Sequence, residues 1–119
     1  MRAIVVDDYP PFLTALTSLL GGKNGIEVVG QAHNGEDALK LAAEVKPDLV
    51  LVDFTMPGMN GIEVARKLKS APGAPKVIVM SFHAEPEYRD MALQAGADAF
   101  LVKTEIHQEL VPLLRRITG

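Results

Sequence analysis

The chain has 119 residues, 48% hydrophobic and 23% charged, with no cysteine and a net charge of −3. That length and composition predict one globular domain over residues 1–119 with a core that needs no staples. They exclude disulfides, thiolate metal sites and cysteine nucleophiles, and they argue against this domain gripping nucleic acid by itself. The N-terminus has no basic segment leading into a long apolar stretch, so no signal peptide is expected. No apolar run approaches the roughly 18 residues that span a bilayer. A cytoplasmic protein with no membrane contact fits these features. The end, Arg115 to Gly119, fits either a natural terminus or the loss of a following domain.

In chain order, Arg2 to Val6 reads as the first strand. Pro10-Pro11 then suit a helix's first turn, where the missing N–H is not needed. Leu13, Leu16, Thr17 and Leu20 mark one face of that helix, and Gly21-Gly22 with Gly25 stop it. Glu27 to Ala32 is the second strand. Asn34 caps the second helix, with Asp37 in its first turn and Ala38, Leu41, Ala42 and Val45 at helical spacing. Pro47 closes it.

Leu49 to Asp53 is the third strand, and Phe54 to Asn60 a turn-rich loop. Asn60 caps the third helix, whose inner face is Val64, Ala65 and Leu68. Ser70 to Pro75 is a second turn cluster. Lys76 to Ser81 is the fourth strand. Pro86 begins the fourth helix, with Met91, Ala92 and Ala95 inward, and Gly96 ends it. Ala99 to Val102 is the fifth strand, and Leu110, Leu113, Leu114 and Ile117 mark the fifth helix. Pro112 lies inside that pattern, where it is expected to remove a hydrogen bond and kink or shorten the helix.

Short apolar runs rich in β-branched residues read as strands buried on both faces. Helices between them make the sheet parallel. The expected fold is α/β: a flavodoxin-like, doubly wound three-layer sandwich, with five helices and a five-stranded parallel sheet of order 2-1-3-4-5. Strands one and three are then neighbours roughly 4.8 Å apart. Asp7, Asp8, Asp53, Ser81 and Lys103 each stand directly after one of these apolar runs, so they meet at one edge, where such sheets bind ligands.

Carboxylates crowded together take up protons unless a cation is present. Hard oxygen ligands suit Mg²⁺, with Mn²⁺ as an option, and such an ion leaves sites that a phosphoryl group can complete. Lys103 is placed to reach an anion held at Asp53, and the Ser81 hydroxyl to donate a hydrogen bond to it. His33 and His107 are expected to be surface residues.

The chain resembles the receiver domain of bacterial two-component response regulators over nearly its full length. The residues that carry this are Asp7-Asp8, Asp53 with Met56-Pro57 and Gly61, Ser81, Phe100 and Lys103-Thr104. The segment Val28-Val29-Gly30-Gln31-Ala32-His33-Asn34-Gly35 resembles the subgroup whose receivers precede a helix-turn-helix output domain, which implies transcription regulation.

The resemblance implies that Asp53 is phosphorylated by a sensor histidine kinase, a histidine phosphotransfer protein or a small acyl phosphate. Asp8 and Asp53 would hold Mg²⁺ with the Thr55 carbonyl, Asp7 would help through a coordinated water, and Lys103 would neutralise phosphoryl charge. Ser81 and Phe100 would form the switch: Ser81 moves to the phosphoryl group and Phe100 turns inward. The helix 4–strand 5–helix 5 face then recruits an output domain or partner protein. Dimerisation through that face is a further option. Thr55 and His83 would tune the phosphate's lifetime. Such a domain catalyses its own phosphorylation and dephosphorylation without metabolic turnover.

Two departures stand out. Thr104 follows Lys103 where the family usually has proline, often after a cis bond, and a cis bond is the expectation here because the site must hold Lys103. Phe82 is bulky where many receivers have a small residue, and it is expected to narrow access to Asp53. Pro10 to Leu13 offers an apolar docking patch for a donor's helices, although a buried Leu13 explains part of it.

Other readings fare worse. Asp53-Phe54-Thr55 also resembles the nucleophile loop of Mg²⁺-dependent haloacid-dehalogenase-like phosphatases, but those place an acid where Thr55 stands and usually carry a cap domain. A flavodoxin needs a Ser/Thr/Gly phosphate loop after the first strand, where Asp7-Asp8-Tyr9-Pro10-Pro11 would repel phosphate. A receiver fold that binds partners unphosphorylated is the third reading, and the complete set of acids, hydroxyl and lysine counts against it.

Overall fold

A computed structural model describes residues 1–21 and 25–118. The expected stop at Gly22 and the terminal Gly119 lie outside the described residues. Strands β1 (Arg2–Val6), β2 (Glu27–Ala32), β3 (Leu49–Asp53), β4 (Lys76–Ser81) and β5 (Ala99–Val102) alternate with helices α1 (Pro10–Leu20), α2 (Gly35–Val45), α3 (Gly61–Lys69), α4 (Pro86–Gln94) and α5 (Ile106–Thr118). All strand pairs are parallel, in the order β2-β1-β3-β4-β5.

Strands β1, β3, β4 and β5 alternate their side chains between two cores, which is why their central residues are apolar, whereas the edge strand β2 keeps Glu27 and Gln31 exposed. Ala3, Val5, Leu49, Leu51, Ile78, Met80, Ala99 and Leu101 pack with Leu13, Leu16 and Leu20 of α1 and Leu110, Leu113 and Leu114 of α5. Ile4, Val6, Val50, Val52, Val77, Val79 and Phe100 pack with Ala38 and Ala42 of α2, Val64 and Ala65 of α3 and Ala92 of α4. Fully burying each Val, Leu, Ile, Phe or Met among them stabilises by about 1.5–3 kcal/mol.

Local chemistry sets the helix ends. The Asn34 side chain accepts from the Asp37 N–H, and Asn60 and Glu63 form a reciprocal capping box. Helix α2 ends at Val45, two residues before Pro47, with Lys46 in the left-handed conformation at φ 48°. Gly96 follows α4 at φ 100°, where a side chain would be strained.

The fifth helix departs from expectation. Pro112 neither ends nor shortens it, and α5 runs 13 residues through to Thr118. The ring sits on the exposed side, so water can satisfy the Gln108 carbonyl that loses its intrahelical donor. A 3₁₀ turn at Lys103–Glu105, unforeseen in the sequence, joins β5 to α5.

Candidate functional site

Register builds the site. Val6 pairs with Val52, so the next residues, Asp7 and Asp53, emerge side by side from β1 and β3. Asp53 pairs with Met80, and Ser81 with Val102, so Ser81 and Lys103 each lie one step further along the edge. The expected convergence is present. Asp7, Asp8 and Asp53 each offer a carboxylate oxygen, and these oxygens lie within 4.8 Å of one another. A cleft of about 350 Å³ is lined by Asp7, Asp8, Tyr9, Asp53, Thr55, Phe82, His83 and Lys103.

Lys103 is the central cation. Its Nζ lies 2.6 Å from Asp7 Oδ2 and 3.1 Å from Asp53 Oδ1, and its side chain is only 4% exposed. Asp7 is engaged twice, because its Oδ1 also accepts from the Tyr9 N–H at 2.9 Å. Asp8 is exposed and has no ion pair among the described residues. Burial pushes the Asp53 carboxyl up to about 6, and the neighbouring Asp7 charge adds to this. The Lys103 ammonium and the Thr55 N–H oppose the rise.

Three carboxylates thus meet one ammonium, which leaves a surplus of two negative charges. An all-oxygen donor set with that surplus fits a hard divalent ion such as Mg²⁺. The segment after Asp53 is tightly placed. Gly61 donates its N–H to the Phe54 carbonyl at 3.1 Å, and a Cβ there would collide with the Asp53 carbonyl.

Other expected residues are placed differently. Ser81 is buried, and its Oγ accepts from the His83 N–H at 2.9 Å, a local turn bond. It does not line the cleft, and Met80 rather than Ser81 is opposite Asp53 in register. Phe100 is already buried, at 7% exposure, beside Val77, Val79 and Ala92. His83 lines the cleft and stacks on Tyr88 at 4.4 Å, and Tyr88 meets Phe54 edge-on at 5.3 Å. His33 and His107 are exposed, as expected. In the Pro10 to Leu13 patch, Leu13 belongs to the core, and Phe12 is half-buried.

The expected cis bond at Lys103-Thr104 is corrected: no peptide bond among the described residues is cis. A non-proline cis bond costs roughly 3–4 kcal/mol. Lys103 is held without it, by two carboxylates and by the rings of Phe12 and Phe82, whose centroids lie 4.4 and 4.9 Å from Nζ. The bulk of Phe82 and the place of Pro10 to Leu13 beside the site are legible in the sequence, whereas the contact of Phe12 with Lys103 and the place of Tyr9 on the cleft wall are not. An aromatic in the first turn of α1 looks like core material until the fold brings it over Lys103.

An acid triad and a buried lysine at the strand ends of a 2-1-3-4-5 sheet define a class of signalling domain. Residues 3–115 match the response regulator receiver domain model, and the chain belongs to that family. It is 40% identical over 117 residues to the response regulator GacA of Pseudomonas aeruginosa, covering 98% of this chain and 55% of that protein. It is 36% identical over 113 residues to the nitrate/nitrite response regulator NarL of Escherichia coli, covering 95% and 52%. Among solved structures, the signal receiver domain of NarL from Mycobacterium tuberculosis superposes with a TM-score of 0.83 at 36% identity, covering 96% and 95%. The chain therefore spans about half the length of the curated relatives it matches.

Proposed function

We propose that this domain accepts one phosphoryl group on Asp53 in a Mg²⁺-dependent reaction, and that the acyl phosphate controls an output. An Asp53 carboxylate oxygen attacks the phosphorus of a donor phosphohistidine or acyl phosphate. The new O–P bond forms as the donor's N–P or O–P bond breaks, and the leaving imidazole or carboxylate keeps the electron pair. Lys103, held between Asp7 and Asp53, neutralises charge on the phosphoryl oxygens. Asp8, Asp53 and the Thr55 carbonyl would hold the Mg²⁺ or Mn²⁺. Asp7 would act indirectly, since both its oxygens already accept hydrogen bonds. When bound, the ion supplies positive charge to the transferring group.

The observation that carries this reading is the meeting of three carboxylate oxygens within 4.8 Å beside a buried lysine. The donor would be a sensor histidine kinase or a histidine phosphotransfer protein. The product carries about two negative charges, enough to bias a two-state element. The Ser81 hydroxyl, two residues from His83, is the group that would turn towards it, with Phe100 packing behind. The α4–β5–α5 face would then engage an output domain, a partner protein or a second copy. By likeness to GacA and NarL, the output would be transcriptional. Thr55 and His83, both on the cleft wall, would set the phosphate's lifetime. No helix among the described residues is long and apolar enough to cross a membrane, in keeping with a proposed cytoplasmic location.

Intact mass after incubation with acetyl phosphate and Mg²⁺ tests this. One added phosphoryl group in the wild type and none in Asp53→Ala is the expected result. Equal labelling of both proteins would refute Asp53 as the acceptor.

A further inference from the structure

The exposed aromatic over the site calls for a physical reason. Phe82 is 67% exposed, yet its ring lies over the Lys103 ammonium at 4.9 Å, and Phe12 of α1 covers the same ammonium at 4.4 Å. Both rings also line a second, mainly apolar cleft of about 300 Å³, to whose wall Lys103 and His107 contribute as well. On that side no carboxylate lines the cleft, and the two rings are the groups that face the ammonium.

A lysine side chain has about 2 kcal/mol of rotamer entropy to lose. The two carboxylates limit where its charge goes, but Asp53 is the group that phosphorylation converts to an ester-like carbonyl. The attraction for Nζ therefore passes from a carboxylate oxygen to the phosphoryl oxygens, so the ammonium's anionic partner changes position as the phosphoryl group arrives. A ring quadrupole does not change with the state of Asp53.

We infer that Phe12 and Phe82 are positioning residues: their rings bracket the Lys103 ammonium and keep it at the phosphoacceptor cleft in both states of Asp53. This rests on Asp53 being the acceptor. Phe12 is the cleaner probe, because it lies outside the acidic cleft and does not restrict the donor's path.

The test measures phosphorylation by acetyl phosphate at saturating Mg²⁺ in Phe12→Leu and Phe12→Tyr, with thermal melting to confirm folding. Leucine keeps an apolar side chain without the π-face, and tyrosine keeps both. Phe12→Leu is expected to slow phosphorylation by about three- to tenfold, and Phe12→Tyr to restore most of it. An unchanged rate in the leucine variant, or an equal loss in both, overturns the inference.

A second readout needs no phosphorylation. The Lys103 ε-methylene protons should resonate upfield of the other lysines' through ring currents, and move back in Phe12→Leu and further in Phe12→Leu/Phe82→Leu. Ordinary lysine shifts in the wild type overturn the bracket. If the wild type takes no phosphoryl group but its shifts behave as expected, the reading of Asp53 fails and the bracket stands.

Discussion

The ammonium of Lys103 lies 2.6 Å from an oxygen of Asp7, a residue 96 positions earlier, and both side chains are buried. A lone charge in that place would be costly, and neither group is tolerable without the other. The pair joins the end of β5 to the end of β1 and makes the acidic cleft part of the fold's own stability.

Lys103→Met is therefore expected to destabilise the metal-free protein by about 2–4 kcal/mol, because it strands Asp7 and Asp53 without a cation. Part of that loss should return with Mg²⁺, which supplies the missing charge. Denaturant melts with and without the ion measure both effects. A variant as stable as wild type would contradict the structural role of the pair.

Asp8 separates metal binding from folding. It is exposed and has no ion pair among the described residues, so Asp8→Ala should change metal-free stability by no more than about 0.5 kcal/mol. Mg²⁺ at 100 times its dissociation constant should stabilise the wild type by about 2.7 kcal/mol and the variant far less. Equal Mg²⁺-induced shifts in melting temperature would remove Asp8 from the donor set.

The site was legible where it depends on backbone order, and less so where it depends on side-chain direction. Apolar runs such as Leu49 to Val52 mark both-face burial, and all five strands have the expected limits. Once β1 and β3 are neighbours, Asp7 and Asp53 must meet. By contrast, the placement of Phe12 over Lys103 depends on how α1 packs against the β5–α5 turn, which no local pattern encodes. The cis expectation at Lys103-Thr104 carried a family habit to a bond that lacks the proline behind it. Pro112 is tolerated within α5 because its side of the helix faces water, a fact of packing rather than of propensity.

The charge state of Asp53 gives a pH signature. Its carboxyl is raised from 3.8 to about 6, first by burial and then by Asp7. Between those values the folded protein holds the proton more tightly than the unfolded chain does. The resulting stability is fully present below about pH 3.8 and is lost as pH rises through about 6. Asp53→Asn should thus raise the melting temperature of the metal-free protein at pH 7 by a few degrees. The difference should shrink as the pH approaches 4, and a difference that grows instead would contradict the assignment.

The most direct measurement is chemical localisation of the phosphoryl group. The protein is treated with acetyl phosphate and Mg²⁺, reduced with borohydride, digested and sequenced by mass spectrometry. Reduction of an aspartyl phosphate leaves homoserine, which should be found at position 53 only, and only when Mg²⁺ was present. Homoserine at another aspartate, or at position 53 equally without the ion, would contradict a metal-dependent acceptor at the end of β3.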